Sequence, residues 1–129
     1  MDINTYLEEG YFDGNEKPRR EIYIDWAKSV AKILDEQKMT AGALRKFFQQ
    51  VRALENYFQD DSSFEANKHY LYPLRPKVNY DANREQTSVP REFVIFMEQN
   101  LNEAEKSRKH FKTFLEHFQS VVAYFPRKK

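Results

Sequence analysis

Two short stretches of this chain carry side chains suited to gripping phosphate. In TAGALRKFFQQVRALENYFQ, residues 40–59, Arg45, Gln49 and Arg52 recur at intervals of four and three, Lys46 sits beside Arg45, and no acid falls between Thr40 and Leu54. On a helix that spacing makes a cationic, hydrogen-bonding flank. In LRPKVNYDANR, residues 74–84, Arg75, Lys77 and Arg84 surround Tyr80, with Tyr70 and Tyr72 just upstream. Guanidinium and ammonium groups bind phosphate oxygens and tyrosine rings stack on bases, so the chemistry on offer is nucleic-acid binding. Arg52 joins the candidate contacts by its place on the helical face and Arg75 by its proximity to the second stretch. Two plainer readings use the same residues. A cluster of three cations reads first as a solvated helix face, and the tyrosines serve equally as interhelical packing with their hydroxyls at the surface. The same Arg and Tyr side chains would also anchor a helical protein–protein adaptor.

Catalytic chemistry finds little support. With no Cys, thiol nucleophiles, iron–sulfur clusters and Cys-based zinc sites are excluded. Neither GxGxxG nor GxxxxGK[ST] occurs, so no phosphate-binding loop is visible. His110 and His117 lie seven apart without an HExxH arrangement, and two imidazoles do not complete a tetrahedral site, so they read as surface histidines. Asp60 and Asp61 read as a solvated turn rather than a magnesium site. The expectation is a protein that is not an enzyme and that takes no metal and no cofactor.

These side chains must be held by helices. Leu44, Phe47, Phe48, Val51, Leu54 and Phe58 recur at helical spacing, giving residues 40–59 an apolar face that has to be buried, with Thr40 as N-cap; this stretch is expected to organise the fold. Before it, Ile22, Tyr23, Trp26, Val30, Ile33 and Leu34 predict a helix over 21–37, which Lys38 suits at its exit. After it come a short helix capped by Ser62 and a helix opened by Pro76 over 76–84. Residues 85–89 read as a polar loop. Pro90 starts a helix through Phe93, Phe96, Met97 and Leu101, and a last helix runs from about residue 102 or 104 to Tyr124. Pro73 interrupts the one alternating stretch, so no strand is expected. The prediction is an all-α, compact bundle of five or six helices forming a single domain over 21–129. Residues 1–20, punctuated by Gly10, Gly14, Asn15 and Pro18, read as a mobile or loosely docked arm in which Tyr6, Leu7, Tyr11 and Phe12 are the docking candidates.

Composition agrees with a helical domain: 11 Phe, 8 Tyr and 1 Trp stand against 3 Gly and 5 Pro in 129 residues. The net charge of +1 hides an asymmetry, since residues 1–39 hold nine acids and six bases and the rest eleven acids and fifteen bases. No apolar run approaches the roughly 20 residues a bilayer demands, and the N-terminus lacks a signal-peptide pattern, so a cytoplasmic protein with no membrane partner is expected.

Three stretches taken in order, LRKFFQQVRALE at 44–55, LRPKVNYDANR at 74–84 and FKTFLEHFQSVVAYF at 111–125, resemble the small subunit of the type III-A CRISPR effector, the Csm complex. The resemblance covers roughly residues 40–125 and leaves 1–39 outside it. Phe125, Pro126 and the basic tail Arg127–Lys129 depart from the family's usual polar ending. The resemblance implies a non-catalytic subunit of an RNA-guided antiviral complex that grips the guide RNA and single-stranded target RNA through their backbones. It implies the backbone and large subunits as partners, and copies stacked as a filament. The matching motifs carry Arg45, Lys46, Lys77 and Arg84 as contacts. An exposed apolar helix face would also favour self-association, including a helix-swapped dimer.

Overall fold

The helices are cut to length by what sits at their ends. The computed structural model describes residues 1–126; the expected basic tail Arg127–Lys129 lies outside the described residues. Helix α1, Asp25–Glu36, is preceded by a 3-10 turn over Arg20–Ile22, so it starts later than the periodicity suggests. It ends in a Schellman motif: Lys38, at φ 72°, donates its N–H to Asp35 O, and Met39 N–H reaches back to Leu34 O, each at 3.0 Å. Helix α2, Ala41–Ala53, is capped by the Thr40 hydroxyl, which accepts from Ala43 N–H at 3.1 Å. The chain then tightens into a 3-10 turn, Leu54–Tyr57, before Phe58 meets Phe64 and Phe111 with ring centroids 5.0 and 4.7 Å away.

Helix α3, Asp61–Asn67, begins one residue before the expected Ser62 cap. Asp60 is the N-cap, forming a capping box with Ser63 whose backbone amide holds the carboxyl below its usual range. Helix α4, Leu74–Ala82, opens two residues before Pro76. A proline fits there because the first-turn amides have no intrahelical acceptor, so its missing N–H is not lost to the helix. Helices α5, Arg91–Ala104, and α6, Arg108–Tyr124, are separated by the Ser107 cap, which accepts from His110 N–H at 3.1 Å. Among the described residues the chain is all-α, with one isolated β-bridge between Phe12 and Pro18.

The organising element is α6 rather than residues 40–59. It packs against α1, α2, α3 and α5, and buries Phe111, Thr113, Phe114, Leu115, His117, Phe118 and Val121, more than one side of a helix. Phe118 is the junction, with Phe48 and Phe96 rings at 5.4 Å, Phe114 at 5.9 Å and Phe93 at 6.1 Å. Burying such a side chain contributes about 2–3 kcal/mol by area.

Residues 1–20 are tied to this core. Ile3, Tyr6, Leu7 and Tyr11 are buried, and Gly10, at φ +78°, turns the chain where an added Cβ would lie 3.2 Å from Glu103 Oε1. A buried relay fastens the segment. His117 Nδ1 lies 2.6 Å from Ile22 O; a carbonyl only accepts, so Nδ1 carries the proton and Nε2 accepts from Tyr6 O–H at 2.8 Å. Tyr6 in turn accepts from Asn100 Nδ2 at 3.0 Å, and Asn100 Oδ1 accepts from Tyr11 O–H at 2.6 Å. His117, expected at the surface, is therefore a core residue: it shares α6's inward face with Phe114 and Phe118, and its two nitrogens are satisfied from the segment before α1. Burial pushes its pKa down to about 4, so the imidazole is neutral at neutral pH. His110 is half-buried, with Nδ1 2.7 Å from Ser107 Oγ.

Candidate nucleic-acid interface

Two helices meet at a groove of about 560 Å³ lined by Lys46, Phe47, Gln50, Pro73, Pro76, Lys77, Tyr80 and Asp81. Local sequence explains each contribution. On α2, Phe47, Phe48 and Val51 face the core, which leaves Lys46 and Gln50, four apart, together on one flank. On α4, Leu74 and Val78 are buried four apart, which turns Lys77, Tyr80 and Asp81 toward the groove and its mouth. A smaller adjoining recess of about 120 Å³ shares Lys46, Phe47 and Asp81 and adds Arg84 and Gln86–Val89. Its loop is pinned by Thr87, whose hydroxyl donates to Asp81 O and accepts from Val89 N–H at 3.0 Å.

Electrostatically the groove is a cationic rim around one acid. Asp81 is 14% exposed, with Oδ2 3.1 Å from Lys46 Nζ and Oδ1 3.5 Å from Arg84 Nη1. Two cations share one carboxylate, so the trio keeps a net positive charge, and Lys77 adds to it without an ion pair of its own among the described residues. Tyr80 is 72% exposed beside them.

The six candidate contacts divide into three groups. Lys46, Lys77 and Arg84 converge on the α2–α4 groove. Arg45 and Arg52 lie on the other flank of α2, toward α6. There Arg45 borders Val122, Phe125 and Pro126, while Arg52 shares a cleft with Glu55, Lys112, Glu116 and Gln119. Arg75 faces α5: its guanidinium donates to Glu98 Oε1 at 3.3 Å and to Glu105 and Asn102. All five of its N–H donors point from one planar fork, and three acceptors already engage it. Sequence spacing contained the division of α2, because neighbours on a helix are about 100° apart and Lys46 pairs with Gln50 rather than with Arg45. Gln50 and Phe47 are the lining residues that charge pattern alone passes over. The upstream tyrosines Tyr70 and Tyr72 are not among the groove's lining residues; Tyr70 packs against Tyr57 with ring centroids 4.7 Å apart.

The chain, with six α-helices among its described residues, matches the family model described as Csm2 Type III-A over residues 17–128. The chain belongs to the Csm2 type III-A family. It is thereby a subunit of a type III-A CRISPR effector, a Csm complex assembled with other subunits. The family match begins at residue 17, so it takes in α1 and the turn before it, which the motif resemblance left outside. No curated protein and no solved structure gives a match. No helix among the described residues is long and apolar enough to cross a membrane.

Proposed function

We propose that this Csm2 chain is a non-catalytic, cytoplasmic RNA-gripping subunit that holds the guide RNA and single-stranded target RNA by their backbones, without sequence preference. The observation that carries the reading is the convergence of Lys46 from α2 with Lys77 and Arg84 from α4 on one groove. Cations gathered from separate elements around a recess position phosphates, and phosphate contacts carry no sequence information, which suits a complex whose specificity resides in its guide. Arg45 and Arg52, on the far flank of α2, are a second pair of cations, Arg52 in a cleft where Lys112 is offset by Glu55 and Glu116, available to an adjoining stretch of RNA or to a sibling subunit. The backbone and large subunits are the expected neighbours, with further copies of this chain stacked or helix-swapped beside it.

The test is RNA binding by fluorescence anisotropy across a salt series, on unrelated sequences, with the chain alone and assembled with its partners. Lys46→Ala/Lys77→Ala/Arg84→Ala, checked for unchanged helicity, should bind more weakly and lose about 0.7 of salt slope per phosphate contact removed. Arg45→Ala/Arg52→Ala measures the other pair by the same criterion. Affinity and slope unchanged in both variants, in the assembled complex as well, overturn the RNA-gripping reading.

The adaptor reading keeps one observation of its own. Tyr57 and Tyr70 are 48% and 42% exposed although their rings pack together, and exposed tyrosines are typical anchors of protein interfaces. If Tyr57→Ala/Tyr70→Ala abolishes assembly with the other subunits and the groove variant leaves RNA binding intact, the chain is an adaptor.

A further inference from the structure

The α2–α4 groove offers more than cations to a ligand. Its volume falls within the roughly 300–1,000 Å³ of small-molecule sites and its walls are largely apolar. Phe47, Pro73 and Pro76 line it, Tyr80 stands at its mouth, and Lys46 and Lys77 border it. Tyr80 is the most exposed large apolar side chain among the described residues, and no other ring packs against it there, in contrast to the Tyr57–Tyr70 pair. A further feature lies at the same place. Gln50 lines the groove, and its Oε1 is shielded from solvent without a hydrogen-bond partner. A buried oxygen left unpaired is costly, and a ligand bearing a polar edge relieves that cost once the side chain turns toward it.

Resting on the RNA-binding reading above, we propose that the groove seats one unstacked nucleobase of single-stranded RNA, its face on Tyr80, its edge toward Gln50, and its phosphate between Lys46 and Lys77. An aromatic face beside cations is how sequence-tolerant single-strand binders hold bases, since every base has a π-face. The apolar wall of Phe47, Pro73 and Pro76 suits the base of a nucleotide better than its phosphate, which the bordering lysines attract. A base locked in a duplex stack cannot enter without being extruded, so the groove selects unpaired over paired RNA.

The experiment uses the full chain, a short oligouridylate, the same oligomer with abasic sites, and a blunt RNA duplex, each followed by anisotropy. A 2-aminopurine-substituted strand reports base stacking directly. Tyr80→Leu should weaken binding of the intact strand about tenfold while leaving the salt slope unchanged, and Tyr80→Trp should retain it. Abasic RNA should lose the same factor with the native chain and nothing further with Tyr80→Leu. Quenching of 2-aminopurine should accompany binding to the native chain and vanish with Tyr80→Leu. Equal affinity for intact and abasic strands, with Lys46→Ala/Lys77→Ala still lowering the salt slope, overturns the base seat and leaves the phosphate grip standing. No response to either set of substitutions overturns both. Loss of assembly with sibling subunits in Tyr80→Leu, with RNA affinity untouched, assigns the recess to a protein contact and also overturns the proposal.

Discussion

Lys46 on α2 reaches across to Asp81 on α4, Nζ to Oδ2 at 3.1 Å, while Arg84 approaches the other carboxylate oxygen at 3.5 Å. The acid is the better buried partner and the two cations are largely in solvent, so the arrangement contributes little to stability, within about 1 kcal/mol for exposed pairs. Its larger effect is to hold two cations at the lip of the groove while cancelling half of their charge. Asp81→Asn keeps the shape and removes the cancellation. RNA affinity should rise severalfold at low salt, with a steeper salt dependence, and the gain should disappear in Lys46→Ala/Asp81→Asn/Arg84→Ala. An unchanged or weakened affinity in Asp81→Asn with unchanged helicity means that the acid positions the lysine rather than restraining it.

Tyr6 and His117 make stability depend on pH in a window set by the imidazole. Its folded pKa, pushed down by burial to about 4, lies below the ordinary value of 6.5, so the unfolded chain binds the proton first as pH falls. The stabilisation is fully present above about pH 6.5 and is lost progressively down to about pH 4, where both states are protonated. Between pH 7 and 5 the loss is about 2 kcal/mol for this residue. Urea unfolding at the two pH values measures it. His117→Gln should flatten the dependence over that window while lowering stability at pH 7, and a native chain equally stable at both values contradicts the assignment.

How far the sequence speaks depends on whether the deciding interaction is local. The apolar spacing of α2, α5 and α6, the Thr40 cap, the start at Pro90 and the stop at Pro126 all follow from neighbours along the chain. But α2 gives way to a 3-10 turn at Leu54, and α6 starts at Arg108 rather than at residue 102 or 104, because α5 runs on to Ala104 and Ser107 supplies the cap. The role of His117 is decided by Tyr6, 111 residues away, and by Ile22, 95 residues away, so nothing near it in the sequence announces burial. Arg75 looks like its neighbour Lys77 until α5 supplies Glu98, Asn102 and Glu105. In the groove, the cations were legible by type and motif order. Their division between two flanks of α2 lay in the helical spacing, but the convergence of Lys46 with Lys77 and Arg84 needed the position of α4, and Gln50 needed the absence of any partner for its buried oxygen.

Lys38 closes α1 in a conformation that favours glycine. At φ 72° an L side chain costs roughly 1–2 kcal/mol, and the Schellman motif around it places Met39 next in the chain, buried, with its amide bonded to Leu34 O. Lys38→Gly relieves the strain and retains both backbone hydrogen bonds. Part of the gain is offset by the greater freedom of glycine in the unfolded chain, leaving an expected stabilisation of about 0.5–1 kcal/mol. Thermal or urea unfolding reads it; a destabilised Lys38→Gly variant shows that the lysine side chain itself contributes through the C-terminal end of α1.

Arg75 differs from Lys77 in being tied to neighbouring acids. Its guanidinium joins α4 to α5 through Glu98, Glu105 and Asn102, and at 24% side-chain exposure it is screened less than the groove lysines. Truncation takes the shared counterion from Glu98 on α5 and from Glu105 at its C-cap, so Arg75→Ala should destabilise the chain by about 1–2 kcal/mol. The loss should shrink in the triple variant Arg75→Ala/Glu98→Gln/Glu105→Gln, because the unpaired charges are then gone. RNA affinity measured where the variant remains folded should keep the native salt slope, because no phosphate contact has been removed. Arg75→Lys distinguishes geometry from charge: a lysine ammonium cannot span three acceptors as a planar fork does, so it should recover only part of the stability. A drop in salt slope with stability unchanged would instead place Arg75 among the phosphate contacts and extend the cationic rim beyond the groove.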